Sequence, residues 1–216
     1  MNLIPVVVNG LLVWAEPGAT VLNVAQKAGA GIPTLCHHER TGTKGHCRLC
    51  LVEIAGRPRP EPACATTVES GMVVNTESEE LTDLRRTVLE LVALETNVEH
   101  DVKMASWLEE YRADPGRWGD PLSGRREREP IRDNAFFVRE YDKCYNCRRC
   151  LDACGEGIQG VWALSFTGRV AEAAVTTVFD LPLTESGCVF CGNCVQVCPT
   201  GALVPLEEAL LAEEAR

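Results

Sequence analysis

The sequence lacks three features that would direct it to a membrane, a secretory route or a nucleic acid. No apolar run approaches the roughly 20 residues that a transmembrane helix needs, so we expect no membrane span. Residues 1–14 have no basic residue before their apolar stretch and no small-residue cleavage site, so we expect no signal peptide. The net charge of −10 leaves no positive excess and argues against a nucleic-acid partner. Aromatic residues, at 6%, are too few for a large aromatic core.

Cysteine, by contrast, is abundant, with 12 residues in a chain of 216. All of them fall into three groups of four, and the second and third groups share the spacing C-x2-C-x2-C-x3-C. These two runs start at Cys144 and Cys188, an offset of 44 residues. Such tight steps favour metal binding over the alternative of a secreted disulfide scaffold. Without a secretion signal we expect a reducing cytoplasm, where thiolates stay free to bind metal.

The second and third groups have the spacing of bacterial ferredoxins that carry 4Fe–4S clusters. In that arrangement three cysteines of a run bind one cluster and the fourth binds the other. Zinc is the alternative, but zinc sites use C-x2-C pairs rather than triples with a trailing cysteine. Pro199 follows the last ligand, whereas Gly155 follows Cys154, a mild departure. The spacing therefore predicts one 4Fe–4S cluster on Cys144, Cys147, Cys150 and Cys198, and a second on Cys188, Cys191, Cys194 and Cys154.

The first group is spaced C-x10-C-x2-C-x13-C, which is the plant-type ferredoxin layout with a longer first loop. It predicts a 2Fe–2S cluster, and Gly42 and Gly45 would let the loop approach the sulfides closely. Zinc remains a more serious alternative here, because one C-x2-C pair alone would suit it. Four cysteines make histidine ligation unnecessary, so we expect His37, His38 and His46 to be exposed loop residues. The predicted ligands are Cys36, Cys47, Cys50 and Cys64.

The fold class predicted for the N-terminal part, residues 1–77, is a β-grasp 2Fe–2S ferredoxin domain. Asn9-Gly10 between two short apolar runs predicts a hairpin with a type I′ turn. Thr20 is placed to cap a helix over about residues 21–28, with its apolar side chains on the inner face. Later strands are expected at residues 51–54 and 72–75. A core this small usually depends on a metal for stability.

The remaining chain completes an α+β architecture. Residues 78–135 form a connector: a helix over 78–97 capped by Ser78, then a polar, irregular stretch over 100–135. That stretch contains turn signals, the last at Ser123-Gly124, and a run of mixed charge at 125–129 that we expect to be solvated or a subunit contact. Residues 136–205 are predicted to form a two-cluster 4Fe–4S ferredoxin-like domain with a strand at 173–179, and 206–216 an acidic helix or tail. The helix 78–97 has an apolar stripe of Leu81, Leu84, Val88, Leu91, Val92 and Leu94, which we interpret as core packing.

Three segments carry a family resemblance: residues 32–36 read IPTLC, 47–54 read CRLCLVEI, and 188–203 read CVFCGNCVQVCPTGAL. They resemble the N-terminal region of the large iron–sulfur subunit of respiratory complex I. They equally resemble the diaphorase iron–sulfur subunit of NAD-linked nickel–iron hydrogenases, and modules of NAD-dependent formate dehydrogenases and iron-only hydrogenases. Many members hold a further 4Fe–4S cluster with the pattern H-x3-C-x2-C-x5-C. From His100 its cysteine positions become Met104, Trp107 and Ala113, so we expect three clusters and a structural or surface role for His100.

No GxGxxG loop and no nucleophile–base arrangement is evident, so the sequence offers no active site of its own. The sequence ends where iron-only hydrogenases continue into a catalytic domain, so we expect an electron-transfer subunit of a larger oxidoreductase. The resemblance implies as partners an FMN- and NAD(H)-binding flavoprotein subunit, a small 2Fe–2S subunit and a hydrogenase or formate dehydrogenase catalytic subunit. An electron-bifurcating complex that also uses ferredoxin is a further option. The alternative is a free-standing soluble multi-cluster ferredoxin.

Overall fold

The computed structural model describes residues 3–42, 44–120, 128–168 and 173–214, and its chain divides into two compact units. Unit 1 comprises Met1–His37, Thr43–Leu91 and Ser106–Asp114. Unit 2 comprises His38–Gly42, Val92–Ala105 and Pro115–Arg216. The predicted turn at Ser123-Gly124, the start of the mixed-charge run at 125–127 and the end of the tail at 215–216 lie outside the described residues.

Unit 1 is built on a mixed sheet with the strand order β2-β1-β5-β3-β4. The first two strands form the expected antiparallel hairpin, and the turn residues Asn9 and Gly10 have φ of 49° and 82°. Positive φ at both positions is what a type I′ turn requires, so the hairpin prediction is confirmed. Strand β1 also pairs in parallel with β5, and β5 pairs antiparallel with β3. The strands are β1 Ile4–Val8, β2 Leu11–Ala15, β3 Leu51–Ile54, β4 Glu61–Pro62 and β5 Met72–Asn75.

Helix α1, Val21–Lys27, supplies the core of unit 1. Its N-cap is Thr20, whose side chain accepts from the Asn23 backbone N–H in a capping box, so the predicted cap is confirmed. The four apolar side chains expected on its inner face are buried together with side chains of the sheet: Val21, Leu22, Val24 and Ala25. A hairpin, one helix and returning strands are the β-grasp arrangement, which confirms the predicted fold class for this unit.

Helix α2, Glu79–Glu95, begins after Ser78, whose Oγ accepts from the Leu81 N–H at 3.1 Å. The predicted apolar stripe is wrong in one respect, because Leu91 is 47% exposed. Leu81 is fully buried as predicted, and Leu89, which the predicted stripe did not include, is fully buried as well. At 3.6 residues per turn, positions 81, 85 and 89 share one face, and that face excludes position 91.

A charged residue, Arg85, occupies the buried face of α2. Its guanidinium donates to the backbone carbonyls of Leu51 and Thr76 at 2.9 and 3.0 Å. These bonds offset the cost of burying the charge. The sequence pattern leaves Arg85 out of the predicted core, because the side chain is polar and the two carbonyls come from other elements.

A second helix lies where an irregular stretch was expected, so that expectation is wrong for residues 102–110. Helix α3 spans Val102–Glu110 and is capped by Asp101, whose carboxylate accepts from the N–H groups of Lys103 and Met104. Two local signals indicate this helix: the Asp101 cap, and apolar residues at positions 104, 107, 108 and 111, which are spaced i, i+3, i+4 and i+7. Within the stretch where turn signals were predicted, Pro115–Trp118 form a 3₁₀ turn.

Unit 2 contains two antiparallel strand pairs and short helices that carry the cysteine runs. The predicted strand at 173–179 is too long, because the strand ends at Thr177 and Phe179 follows in a turn with φ of 57°. The acidic tail forms a helix. No helix in the described ranges is long and apolar enough to cross a bilayer. The strand pairs are β6 Phe137–Arg139 with β9 Leu203–Pro205 and β7 Leu164–Thr167 with β8 Ala174–Thr177; the helices are α4 Arg149–Cys154, α5 Asn193–Gln196 and α6 Leu206–Glu214.

Candidate iron–sulfur centres

The first cysteine group converges on one place in unit 1, which we call the 2Fe–2S site: Cys36, Cys47, Cys50 and Cys64. The Sγ atoms of Cys50 and Cys64 lie 3.2 Å apart, and the Cys47 N–H lies 3.5 Å from the Cys36 Sγ. Cys36, Cys50 and Cys64 are buried and Cys47 is half-buried. The structure thus brings all four predicted ligands of this site together.

The pKa values of these thiols report the same convergence. Hydrogen bonds from the Cys47 and Cys64 thiols hold the pKa of Cys36 far below its ordinary value. The pKa of Cys64 is raised, because its contacts with the Cys36 and Cys50 sulfurs and its removal from water favour the protonated thiol. Thiols that share protons in this way are close enough to act as ligands of one small cluster, once iron replaces the protons.

The loop that leads to Cys47 uses left-handed backbone, as the two predicted glycines allow. Gly42 and Gly45 have φ of 71° and 63°, and Arg48, between Cys47 and Cys50, has φ of 60°. Side chains rarely adopt such angles, so the glycines are needed for the turn itself. The expected close approach of the glycines to sulfide is a separate matter, and it stays a prediction.

The histidines beside this group are less exposed than expected. His37 and His38 are half-buried, and only His46 is exposed. The Nδ1 atom of His38 accepts from the Arg40 backbone N–H at 3.2 Å. The prediction of exposed loop histidines is therefore wrong for two of the three, because the loop folds back on itself around residues 38–42.

Unit 2 holds two cavities, each lined by four cysteines. We call the first site I: a cavity lined by Cys144, Cys147, Cys150 and Cys198, with Tyr141 and Tyr145 in its wall. We call the second site II: a cavity lined by Cys154, Cys188, Cys191 and Cys194, with Phe137 and Leu183 in its wall. Each cavity combines three cysteines of one run with the last cysteine of the other, the grouping that the spacing predicts.

The electrostatics of the thiols follow the same grouping. Burial raises the pKa of Cys147 to about 12, with further contributions from Cys144 and Cys198. Burial likewise raises the pKa of Cys194 to about 12, with a further contribution from Cys154. Deprotonating such thiols together is unfavourable unless a cation compensates, and an iron–sulfur cluster supplies that compensation. Among the residues described, no three His, Cys, Asp or Glu side chains are grouped as ligands of a single metal ion.

The backbone of the two runs repeats with the 44-residue offset. Asn146 and Phe190, at equivalent positions, have φ of 53° and 52°, and Arg148 and Gly192 have φ of 66° and 73°. Each left-handed residue turns the chain back towards its cysteine. The N–H groups of Asn146 and Phe190 accordingly lie 3.4 Å from the sulfurs of Cys144 and Cys188. Inward N–H groups of this kind stabilise a negatively charged cluster.

Gly155 has a packing reason to stand where Pro199 stands in the other run. A Cβ atom at position 155 would lie 2.7 Å from the Trp162 ring, closer than side chains tolerate. The backbone of Trp162 has φ of 59°, and its N–H donates to the Cys154 carbonyl at 3.1 Å, which holds the indole in that space. The departure from proline therefore reflects the chain that follows Cys154.

His100, the histidine that the family resemblance singled out, contacts Thr200 in the lining of site I. The His100 Nε2 lies 3.1 Å from the Thr200 carbonyl oxygen. Of the positions where the pattern would place cysteines, Met104 is fully buried, and Trp107 and Ala113 are half-buried. The structural role expected for His100 fits this contact, whereas a fourth cluster on these residues has no thiolate to hold it.

Comparison with known families identifies both cysteine-rich parts. Residues 2–79 match a family model for a 2Fe–2S iron–sulfur cluster binding domain, and residues 143–202 match one for a 4Fe–4S dicluster domain. The chain is an iron–sulfur protein. The predicted complement of one 2Fe–2S and two 4Fe–4S clusters is confirmed by these matches, as is the α+β architecture of two ferredoxin-type domains.

Relatives of this iron–sulfur protein include components of NAD(P)-linked enzymes. It is 35% identical over 96% of its length to the NADP-reducing hydrogenase subunit HndD of Solidesulfovibrio fructosivorans, and 33% identical over 88% to an NADH-quinone oxidoreductase component of Rhizobium meliloti. It is 32% identical over 94% to the NADPH-Fe(3+) oxidoreductase subunit alpha of Geobacter sulfurreducens. The chain spans only 37%, 22% and 24% of these relatives.

A solved chain of an NAD⁺-reducing [NiFe]-hydrogenase, crystallised in its H₂-reduced state, has a similar structure. The TM-score is 0.79 at 27% identity, and the match covers 94% of this iron–sulfur protein and 87% of the solved chain. The resemblance expected from the three sequence segments is therefore confirmed, since the hydrogenase relative, the NADH-quinone oxidoreductase relative and this neighbour belong to the kinds of enzyme that it named.

The sequence patterns missed three side chains that contact cluster-site sulfurs without being predicted ligands. The first is Asn146, whose Oδ1 lies 3.6 Å from the Cys144 Sγ. The Asn193 amide donates to the Cys191 Sγ at 3.3 Å, and the Thr200 Oγ1 lies 3.6 Å from the Cys198 Sγ. Each stands two residues after its cysteine. That spacing, combined with a side chain able to donate a hydrogen bond, is the signal that could have found them.

Proposed function

We propose that this protein is an electron-transfer subunit that relays electrons between an NAD(H)- and FMN-binding flavoprotein subunit and a catalytic metal subunit. The catalytic partner would be a hydrogenase or a formate dehydrogenase, and a small 2Fe–2S subunit would accompany the flavoprotein. The functions of the relatives and of the solved neighbour support this proposal. An electron-bifurcating complex that includes ferredoxin is compatible with the same set of clusters.

The observation that carries the proposal is the reciprocal arrangement of sites I and II. Helix α4 links Cys150 in the wall of site I to Cys154 in the wall of site II. Helix α5 begins at Asn193, and the segment from Cys194 to Cys198 makes the return connection. Each of the two connections between the sites is only about one helical turn long. Sites this directly connected are suited to passing electrons between their clusters.

We assign the ligands by these groupings. The 2Fe–2S site would use Cys36, Cys47, Cys50 and Cys64, site I would use Cys144, Cys147, Cys150 and Cys198, and site II would use Cys154, Cys188, Cys191 and Cys194. Each cluster, when bound, supplies a centre that accepts and releases a single electron. The protein's own part is to present thiolates, to direct backbone N–H groups at the sulfurs and to keep water from the buried side of each cavity.

The domain limits suggested by the sequence serve as the working division for this proposal: 1–77 for the 2Fe–2S domain, 78–135 for the connector, 136–205 for the two-cluster domain and 206–216 for the acidic tail. We further propose that the protein works in the cytoplasm, because twelve thiols must stay reduced to take up iron.

Iron and sulfide analysis tests the cluster count. We expect about ten irons per chain, whereas about fourteen would indicate a further cluster.

The relay is tested by Cys191→Ser in the complex purified with its partner subunits. We expect loss of NADH-driven turnover at the catalytic metal, while the flavoprotein still reduces an artificial dye with NADH. Val189→Ala is the matched control, since Val189 lies in the same loop and is exposed. Unchanged NADH-driven turnover in Cys191→Ser would contradict the relay.

The free-standing ferredoxin remains the second candidate, because a two-cluster 4Fe–4S domain is also found in diffusing carriers. Gel filtration of native extract separates the two. Elution with other subunits supports the proposal, and elution as a single chain of 23.6 kDa supports the ferredoxin.

A further inference from the structure

Thr200 is a buried polar side chain beside a proposed ligand of site I. It is 7% exposed, and its Oγ1 lies 3.6 Å from the Cys198 Sγ. The backbone N–H of Ala202 donates to the same Oγ1 at 3.2 Å. The hydroxyl therefore has two neighbours in this buried position, one of them a donor.

The direction of the bond to sulfur follows from these contacts. A ligand thiolate has no proton, so it can only accept. The Thr200 oxygen already accepts from Ala202, which leaves its hydroxyl proton to be donated to Cys198. We propose that this hydrogen bond raises the reduction potential of the site I cluster, an inference that rests on the ligand assignment proposed above.

The physical reason is charge. Reduction of the cluster adds one electron and breaks no bond, and the added negative charge spreads onto the ligand sulfurs. A hydrogen bond to sulfur stabilises the more negative, reduced form more strongly than the oxidised form. A net hydrogen bond of ordinary strength corresponds to a roughly fivefold shift of the reduction equilibrium.

A distant segment holds Thr200 and its surroundings in place. His100 contacts the Thr200 carbonyl, as described above. The Thr96 hydroxyl donates to the Cys144 carbonyl at 3.2 Å, and the Tyr145 hydroxyl donates to the Asp101 carboxylate at 3.0 Å. Residues 96–101 thus bind both chain segments that line site I, and His100 acts as a positioning residue.

Site II differs at the position equivalent to this hydroxyl. The residue 44 positions before Thr200 is Glu156, which is exposed and has no hydroxyl group. Removing the Thr200 hydroxyl should therefore change one 4Fe–4S potential and leave the other.

The experiment is an anaerobic redox titration of the full-length chain with dithionite, followed by EPR, for the wild type, Thr200→Val and Thr200→Ser. We expect Thr200→Val to lower the midpoint of one 4Fe–4S signal by the equivalent of about fivefold in the reduction equilibrium. Thr200→Ser should restore it, because it keeps the hydroxyl. Thr177→Val is the control, since Thr177 is also buried but donates to the Leu181 carbonyl rather than to a sulfur.

The outcomes separate this inference from the proposed function. If Thr200→Val shows two normal 4Fe–4S signals with unchanged midpoint potentials, the proposed effect of the hydrogen bond is refuted and the relay is unaffected. Equal shifts of both signals, or the same shift in Thr177→Val, also overturn it, because the effect would not be local. If the wild type shows fewer than two 4Fe–4S signals in EPR, that result would instead refute the ligand assignment.

Discussion

Sites I and II share one cysteine spacing and one backbone path, yet they differ in the side chain that contacts their sulfurs. Site I has the Thr200 hydroxyl at Cys198 and the Asn146 amide oxygen at Cys144, whereas site II has the Asn193 amide at Cys191. Thr200 is buried, whereas Cys191 is exposed. The motif therefore sets where the thiols meet, and the side chains between and beyond the cysteines set the polarity around them.

The two donors are held by segments far away in the sequence. His100 contacts the Thr200 carbonyl at site I. At site II, the Arg40 guanidinium donates to the Asn193 Oδ1 at 3.3 Å and to the Gln196 Oε1 at 2.8 Å. Because Arg40 takes up the amide oxygen, the Asn193 nitrogen faces the Cys191 sulfur. The two internal repeats have thus diverged through the contacts that each copy makes with the rest of the fold.

The largest effect is expected when the last cysteine of either run is replaced, because each of these cysteines is assigned to the cluster of the other run. Cys198→Ser should remove the site I cluster although Cys198 lies in the second run, and Cys154→Ser should remove the site II cluster although it lies in the first. Each variant should lose about four irons, and EPR should show a different signal lost in each. Cys198→Ser and Cys194→Ser that eliminate the same signal would contradict the exchange.

Gly157 and Gly201 occupy equivalent positions in the two repeats, but their replacement by alanine should have different costs. At Gly157 a Cβ would lie 2.6 Å from the Asp152 carbonyl oxygen, a backbone atom that cannot move aside cheaply. At Gly201, 44 residues later, a Cβ would meet no described atom within 4 Å, but φ is +67°. We expect Gly157→Ala to cost about 3 kcal/mol of unfolding free energy and Gly201→Ala about 1 kcal/mol. Chemical denaturation under anaerobic conditions measures both, and equal costs would contradict the difference.

Acid should weaken both 4Fe–4S sites, and to a similar degree. Burial holds the pKa of Cys147 and of Cys194 at about 12, so below that pH each thiol must release a proton before it can bind iron. Affinity should therefore fall as pH falls, by about tenfold per pH unit for each proton released. Competition with a ferrous chelator at about pH 6 and about pH 8 measures the loss. Iron retention that rises on acidification would contradict the sign.

The smallest effect is expected at Asn193. Asn193→Ala should lower the potential of the site II signal by less than Thr200→Val lowers that of site I, because water can replace the amide at an exposed sulfur. The same redox titration measures it. Arg40→Ala should have a weaker effect in the same direction, since it frees the amide to rotate. A site II shift larger than the site I shift would reverse the comparison.

Much of this organisation could be predicted from local signals along the chain. Asn9-Gly10, the Thr20 cap and the alternating strands of unit 1 were such signals, and the 44-residue repeat predicted the grouping of thiols in both cavities. Helix α3 and the burial of Arg85 were not foreseen. The first has a local signal, the apolar spacing at positions 104, 107, 108 and 111, but it lies within a stretch rich in polar and turn residues. The second depends on carbonyls contributed by residues 51 and 76, which no local pattern reveals.

The kinds of cofactor follow from the order of the amino acids alone. Thiolate spacing decides which clusters can be bound, because ligation depends on a few atoms that are close along the chain. What surrounds those clusters depends on the folded chain. His100 and Thr200 meet across 100 residues, and Arg40 and Asn193 across 153. Such contacts arise only when the whole chain packs, so the environment of each sulfur could be seen only in the fold.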